Sequence, residues 1–397
     1  MSKGDRDSIS RMINLNFFSK KEEEVKMKKR TVLLSLLMVF TCFFIFGAFN
    51  PTLVEGQTIR WKYTTTWTPA IQLIEADRHF AKVVNELARG ELNLKFFEGG
   101  SLVTPFELFG AVSEGTIEAG GDWPNYWAGK DTVFDLLGSY PFGLTPIDYM
   151  VWIYEGGGFD LYQEAYGKFG MVYLPHCCTP MESGVRGHKP INSIADYKGL
   201  KIRMSGRTQG KILKDIGAAQ TMLAGGEIYQ ALEKGVIDAG EFCSPSIDWG
   251  MGFQEVTEYW ASPGWHQPAS LLGVMINKKA WDKLPDHLKA ALKTAAMANY
   301  AWSFSFFEYG SIEGTKNFLD KGIKITRLSD KDLAKLQEIA NKHTLESCKE
   351  NPLFAKVAYS QFKFLKDISQ WRDIATPFTY GRNPVLPDLD AMKACIK

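Results

Sequence analysis

The chain has 397 residues, with 46 lysines and arginines against 45 aspartates and glutamates, and a formal net charge of +1. This length predicts two domains or one body with two lobes, and the near-neutral charge argues against nucleic-acid binding, because neutralising phosphates requires a basic surplus. Aromatic residues make up 13% of the chain, a composition that excludes long disordered stretches.

The first 56 residues are predicted not to belong to the fold. Residues 1–26 are polar, and Met27 is a better translation start. After it, the basic residues 28–30 precede an almost uncharged apolar run over residues 31–48, the pattern of a secretory signal peptide. An uncleaved membrane anchor is the alternative, although this run is barely long enough to span a bilayer. We expect cleavage after Gly56 and export to the periplasm.

The cysteines do not form a disulfide framework. Five of the six lie beyond the predicted signal peptide, and an odd number in a chain of this length argues against such a framework. Cys348 and Cys395 could form one clip across the C-terminal segment. His176, Cys177 and Cys178 resemble metal ligands, but no second Cys/His pair follows at zinc-finger spacing, so we do not expect zinc.

Strand and helix patterns alternate along the mature chain. The periodicity predicts strands at residues 59–63, 92–97, 170–175 and 199–203, and from Leu271 onward. It predicts helices at residues 70–87, 329–339 and 359–374. Alternation of this kind indicates an α/β fold with mostly parallel sheets, which bind ligands beyond the carboxyl ends of their strands.

A fourteen-residue unit occurs twice, 120 positions apart. Its copies are ELFGAVSEGTIEAG at residues 107–120 and EIYQALEKGVIDAG at residues 227–240. Each copy predicts a helix, a glycine cap and a short strand. The caps are Gly115 and Gly235. The strands are expected to begin at 116–117 and 236–237 and to end at 120–123 and 240–242. A period of this length is too long for a solenoid and predicts two similar α/β lobes.

Three stretches carry a family resemblance. Residues 125–158, 198–242 and 259–285 resemble solute-binding proteins of tripartite ATP-independent periplasmic (TRAP) transporters. The resemblance covers roughly residues 57–381 and is strongest to the branch for α-keto acids, mannitol or chloroaromatic compounds. It implies a two-lobed α/β clamshell of the type II-like class, with long hinge and C-terminal helices. It also implies capture of a small organic carboxylate and its delivery to the TRAP membrane permease.

The resemblance sets the expected organisation of the chain. Lobe I is expected at residues 57–180 and lobe II at 181–269. A strand and a helix return between the lobes over residues 270–326, and a helical segment follows over 327–397. Some relatives of this branch dimerise through a swapped C-terminal helix. Residues 358–374 are long and apolar enough for a homodimer, and packing on the chain's own body is the alternative.

Binding roles follow from the same resemblance. Arg203 matches the arginine that grips the ligand carboxylate through two parallel N–H bonds, with Arg186 as the alternative arginine. Glu241 and Phe242 match a Glu–Trp pair that offers side-chain and main-chain oxygens to a cation bridging the ligand. Gln267 stands where the branch often has glutamate. Na⁺ or Ca²⁺ accepts such oxygens and is the expected cofactor, if the site holds one.

Four further residues are assigned to ligand binding. Glu182 is the nearest counterpart of a family glutamine. Asn125 and Tyr126 follow the first repeat strand, and Trp67 follows the first strand of the chain. Ordinary packing is the alternative for Tyr126 and Trp67.

An enzyme and a ligand sensor are the two alternatives to a binding protein. The sequence contains neither an HExxH nor a GxSxG motif, and the adjacent His176 and Cys177 are poorly placed to act on one another. We therefore do not expect an enzyme. An extracytoplasmic sensor, or a binding protein without transport, would use the same site residues and is the alternative. The chain shows no appended signalling domain, which disfavours a sensor.

Overall fold

The computed structural model describes Met27 and residues 58–375. The rest of the predicted signal peptide and Cys395 lie outside the described residues, so cleavage after Gly56 and the Cys348–Cys395 clip stay predictions. Within the described part of the chain, no helix is both long enough and apolar enough to cross a membrane.

The first sheet has five strands. They are β1 (Ile59–Thr65), β2 (Leu92–Phe97), β3 (Ala119–Asp122), β4 (Met171–Cys178) and, from much later in the chain, β10 (Leu271–Asn277). Their order is β2-β1-β3-β10-β4. β1 pairs in parallel with β2 and β3, whereas β10 runs antiparallel to both β3 and β4.

The second sheet has six strands. They are β5 (Val185–Gly187), β6 (Lys201–Arg203), β7 (Ala219–Thr221), β8 (Ala239–Gly240), β9 (Tyr259–Ser262) and β11 (Lys324–Arg327). Their order is β11-β9-β5-β8-β6-β7. β6 is parallel to β7 and β8, and β11 is parallel to β9, whereas β5 is antiparallel to β8 and β9.

Both sheets are therefore mixed, and the prediction of mostly parallel sheets is wrong for β5 and β10. Each of these strands enters its sheet directly from the other one. β5 follows β4 through residues 179–184, and β10 follows β9 through residues 263–270. Parallel strands need a crossover connection, usually through a helix. β5 and β10 enter without one and run antiparallel to their neighbours. The two crossing segments consequently run between the sheets.

The repeat strands begin later than predicted. β3 (Ala119–Asp122) and β8 (Ala239–Gly240) end where predicted, but the predicted starts at 116–117 and 236–237 are wrong. Gly115 and Gly235 do adopt the left-handed conformation, with φ of 84° and 64°, as the predicted glycine caps require. The amides of the next two residues in each copy donate back to the preceding helix. These amides are therefore not available to a sheet.

Helices cover the two sheets and complete two α/β lobes. The helices of the first lobe are α1 (Ile74–Leu87), α2 (Leu108–Glu114), α3 (Phe134–Leu137), α4 (Pro146–Tyr154) and α5 (Gly158–Gly167). Those of the second are α6 (Arg207–Asp215), α7 (Ile228–Glu233), α8 (Pro245–Gly250) and α9 (Phe253–Val256). The short helix α10 (Lys278–Asp282) follows β10.

Three long helices connect the lobes. α11 (Asp286–Asp320) packs against β4 and α1 of the first lobe and against α8 of the second. α12 (Asp330–Glu350) packs on α6 in the second lobe, and α13 (Pro352–Ala375) packs on α3, α4 and α5 in the first. The segment predicted to return between the lobes thus contributes β10 to one sheet and β11 to the other. The lobe boundaries themselves stay predictions.

One apolar cluster contains side chains from both lobes. Trp67, Leu73 and Trp123 of the first lobe are buried together with Ile228 and Phe242 of the second. Trp67 and Phe242 form an edge-to-face pair with ring centroids 6.3 Å apart. These contacts hold the two lobes against each other at the edge of the cavity described next.

Candidate functional site

A cavity lies between the lobes, where β3, β6 and β8 end and the two crossing segments pass. It contains about 280 Å³ of empty space, part of which is open to solvent. Its lining combines aromatic and aliphatic side chains with a small number of polar ones, as small-molecule sites do. The lining residues are Trp67, Leu73, Trp123, Tyr126, Thr179, Arg203, Ser205, Glu241, Phe242, Cys243, Gln267, Ser270 and Leu272.

Arg203 ends strand β6, and its side chain lines this cavity while being only 1% exposed. Nη1 donates to Glu241 Oε1 at 2.8 Å and to the Glu241 carbonyl at 2.7 Å. Nε and Nη2 both donate to the Leu223 carbonyl at 3.2 Å. A guanidinium has five N–H groups, so one on Nη2 remains. The predicted two-bond grip on a carboxylate therefore requires replacement of a bond to Leu223.

Glu241 follows β8 and is fully buried. Its Oε1 accepts hydrogen bonds from Arg203 and from the Ser205 amide at 2.6 Å. Its Oε2 has no hydrogen-bond partner. Burial raises the pKa of Glu241, and the Arg203 guanidinium opposes that rise. The carboxylate thus has one oxygen fixed by the protein and one oxygen free for a further partner.

Gln267 shows a similar arrangement. Its Nε2 donates to Ser270 Oγ at 3.1 Å, and its Oε1 is buried without a partner. Two partnerless oxygens in one lining, from a carboxylate and an amide, are the donors that Na⁺ or Ca²⁺ takes. Glu241 and Gln267 therefore fit the predicted cation. The part assigned to the Phe242 carbonyl stays a prediction.

Glu182 lies just outside the lining, on the first crossing segment. Its Oε1 accepts a hydrogen bond from Ser270 Oγ at 2.9 Å, and its Oε2 lies 3.2 Å from His266 Nε2. One oxygen of Glu182, one of Glu241 and a ring nitrogen of His266 lie within 4.8 Å of one another. Burial, with Glu241 nearby, raises the pKa of Glu182 well above its usual value. Burial lowers the pKa of His266 to about 3, so its ring is neutral.

Three aromatic residues predicted to contact the ligand do line the cavity. Tyr126 packs on Trp67 with a centroid distance of 5.8 Å, and the Phe242 ring lies 5.5 Å from the Arg203 guanidinium. Burial raises the pKa of Tyr126 to about 12, so its hydroxyl keeps its proton. These rings form an apolar wall beside the polar groups.

Two other candidates lie outside the cavity. Asn125 is directed away from the lining, contrary to expectation. Its amide donates to the carbonyls of Asp135 and Ser139, and its oxygen accepts from the Ser139 amide.

Arg186 lies 3.1 Å from Asp248 in a fully buried pair, with its guanidinium 3.9 Å from the Trp260 ring centroid. Arg186 therefore serves the core of the second lobe.

Sequence reasoning missed several lining residues. Ser205 follows β6 by two residues, and its buried hydroxyl has no partner. Cys243 follows β8, and Thr179 and Ser270 flank β4 and β10 at the crossings. The rule that ligands bind beyond strand ends could have found Ser205 and Cys243. The crossing residues carry no sequence pattern of their own.

Comparisons with known proteins agree with this geometry. Residues 64–351 match the family model described as bacterial extracellular solute-binding protein, family 7. The chain is 31% identical over 317 residues to the monocarboxylate 2-oxoacid-binding periplasmic protein of Nostoc sp., a match covering 80% of this chain and 86% of that protein.

Solved structures extend the comparison. A TRAP transporter solute-binding protein from Bordetella bronchiseptica, described with copurified calcium and picolinate, gives a TM-score of 0.77 at 28% identity and covers 80% of this chain and 95% of its own. A TRAP solute-binding protein from Pseudoalteromonas atlantica, described with bound sodium and pyruvate, gives a TM-score of 0.76 at 29% identity. The match covers 80% of this chain and 97% of that one. The predicted family and two-lobed α/β fold are confirmed. The chain belongs to family 7 of the bacterial extracellular solute-binding proteins, the binding proteins of TRAP transporters.

Proposed function

We propose that this chain is exported, captures a small 2-oxo monocarboxylate together with a cation in the cavity, and delivers the acid to a TRAP membrane permease. The observation that carries the proposal is one lining that holds a guanidinium, on Arg203, and two buried acceptor oxygens without partners, on Glu241 and Gln267. The guanidinium suits a carboxylate, and the two oxygens suit a cation.

The ligands of the similar structures share one chemical feature. Pyruvate and picolinate each carry one carboxylate with a second donor atom beside it, a keto oxygen or a ring nitrogen. A cation can therefore be chelated by both atoms while the carboxylate also meets an arginine. The aromatic wall of the cavity suits a small acid with an apolar remainder. Among the described lining residues, Arg203 is the one cationic side chain, which favours a monocarboxylate over a dicarboxylate.

Calorimetric titration of the mature chain with matched small molecules tests this proposal. Pyruvate and picolinate should bind with 1:1 stoichiometry. Propionate, which lacks the keto oxygen, should bind more weakly, and pyruvamide, which lacks the carboxylate, should not bind. Succinate tests the preference for one carboxylate. Binding of pyruvamide as tight as that of pyruvate would show that the site does not recognise a carboxylate.

We also propose that α13 mediates a homodimer. Its first half packs on the chain's own body through Leu353, Phe354 and Val357. Its second half exposes apolar side chains, with Trp371 65% and Ile374 78% exposed. The Bordetella bronchiseptica structure is described as a dimer, which supports a second copy as the partner for this surface. Light scattering should give twice the mass of the mature chain, and a monomer at all concentrations would contradict the proposal.

A further inference from the structure

We propose that Glu182 is a ligand of the cation and that the site therefore selects a divalent ion, of the Ca²⁺ type, over Na⁺. The inference rests on the proposed function, because the cation is the one that bridges the bound acid. It changes the role of Glu182, which the sequence assigned to contact with the acid, and it specifies a choice that the similar structures leave open, since one holds calcium and another sodium.

The position of Glu182 suits an ion better than it suits the acid. Glu182 is absent from the cavity lining but lies directly behind Gln267 and Ser270, which belong to it. Its amide donates to the Gln267 carbonyl at 3.3 Å, which ties the two crossing segments together. Its carboxylate is held by Ser270 Oγ at 2.9 Å and lies 3.2 Å from His266 Nε2, and one of its oxygens is close to an oxygen of Glu241.

The separation of these groups matches one bridging ion. The donor atoms of Glu182 and Glu241 lie within 4.8 Å of each other. Calcium binds carboxylate oxygens at about 2.3–2.6 Å, so one ion reaches two oxygens that are up to about 5 Å apart. Gln267 Oε1, also buried and partnerless, offers a third oxygen in the same region. Three oxygens from the protein and two from a chelating acid approach the coordination number that Ca²⁺ prefers.

Charge balance decides the valence. An ion that binds the Glu182 carboxylate displaces the proton that burial favours there, so the carboxylates of Glu182, Glu241 and the bound acid then carry three negative charges, and Arg203 carries one positive charge. Both glutamates and Arg203 are buried, where an uncompensated charge is strongly destabilising. A monovalent ion leaves one negative charge uncompensated, whereas a divalent ion balances the cluster. The nearby Arg186–Asp248 pair is balanced within itself and adds nothing.

Replacing Glu182 by glutamine should reverse this preference. The variant keeps the shape of the side chain and its contact with Ser270, but it removes one negative charge, so a single positive charge then suffices. In the wild-type chain, Ca²⁺ should raise pyruvate affinity at least tenfold over Na⁺ at matched ionic strength. In Glu182→Gln, the Ca²⁺ advantage should fall at least tenfold, and Na⁺ should support binding. Glu255→Gln, at an exposed carboxylate on α9 paired with Lys321, is the matched control and should leave the preference unchanged.

The experiment uses mature chain stripped with a chelator and titrated calorimetrically, first with CaCl₂ or NaCl alone and then with pyruvate. Ca²⁺ alone should bind the wild type and bind Glu182→Gln at least tenfold more weakly. Glu182→Asp, which keeps the charge, should retain the divalent preference. Equal support by Na⁺ and Ca²⁺ in the wild type, or cation-independent binding, would overturn the inference while leaving the proposed function intact. Ca²⁺ binding that depends on Glu182, without any binding of pyruvate, would instead overturn the proposed function.

Discussion

Removal of the Arg203 side chain should affect both the free protein and its complex. Arg203 is 1% exposed, and it makes two hydrogen bonds to Glu241 and two to the Leu223 carbonyl. Arg203→Ala leaves Glu241 as a buried charge without its partner, which typically costs about 3–5 kcal/mol of folding stability. The bound acid also loses its countercharge, which is worth about 2–5 kcal/mol, or roughly 30- to several-thousand-fold in Kd.

Arg203→Lys separates these two effects. Lysine keeps the positive charge beside Glu241 but lacks the planar fork, so it should restore much of the stability and only part of the affinity. Arg186→Lys is the matched control. Arg186 is also fully buried against a carboxylate, that of Asp248, but it lies outside the cavity. This control should lose stability and keep its affinity.

Thermal denaturation and calorimetry with pyruvate measure the two quantities on the same samples. Affinity of Arg203→Lys within threefold of the wild type would mean that Arg203 does not anchor the carboxylate. An equal loss of affinity in Arg186→Lys would mean that the effect of Arg203 is general destabilisation and not recognition.

Three further predictions concern stability and assembly. Asp135→Asn should lower folding stability by about 1–2 kcal/mol. Asp135 of the first lobe accepts hydrogen bonds from the amides of Arg207 and Thr208, which begin α6 in the second lobe. An unchanged denaturation midpoint would contradict this prediction. Burial raises the pKa of Asp122 to about 7 from 3.8, so its contribution to stability is complete below about pH 4 and is lost as the pH rises to about 7. Asp122→Asn should therefore flatten stability against pH over this interval, and identical slopes would contradict the assignment. Trp371→Asp should convert the proposed dimer to monomer, and an unchanged mass would exclude α13 from the interface.

The two-lobed organisation could be predicted from the sequence because the repeat is a local pattern. Each copy contains a helix with an apolar stripe and a glycine at its end, and both features depend on neighbouring residues alone. The predicted starts of the repeat strands were wrong for an equally local reason. The threonine and valine after Gly115 and Gly235 favour strands, but their amides already serve the helix ends. The hydrogen bonds that cap the helix ends therefore override the strand propensity of these residues.

The site was predictable only in part. The roles of Arg203 and Glu241 came from the family resemblance, and both residues also lie where parallel strands end. The approach of Glu182 to Glu241 and His266 could not be predicted, because the three residues come from separate segments that carry no periodic pattern. Asn125 shows the opposite failure. It is adjacent to Tyr126 in sequence, but the 3₁₀ turn at Pro124–Trp127 directs it to the backbone of residues 135–139.

A crystal structure of the mature chain grown with pyruvate and CaCl₂, with anomalous data collected for the cation, tests the central claim most directly. The account predicts one pyruvate in the cavity, with its carboxylate within hydrogen-bonding distance of the Arg203 guanidinium. It also predicts one anomalous peak in contact with the acid, Glu241 and Gln267. Pyruvate bound elsewhere, or bound with its carboxylate against the Trp67 and Phe242 rings and away from Arg203, would contradict it.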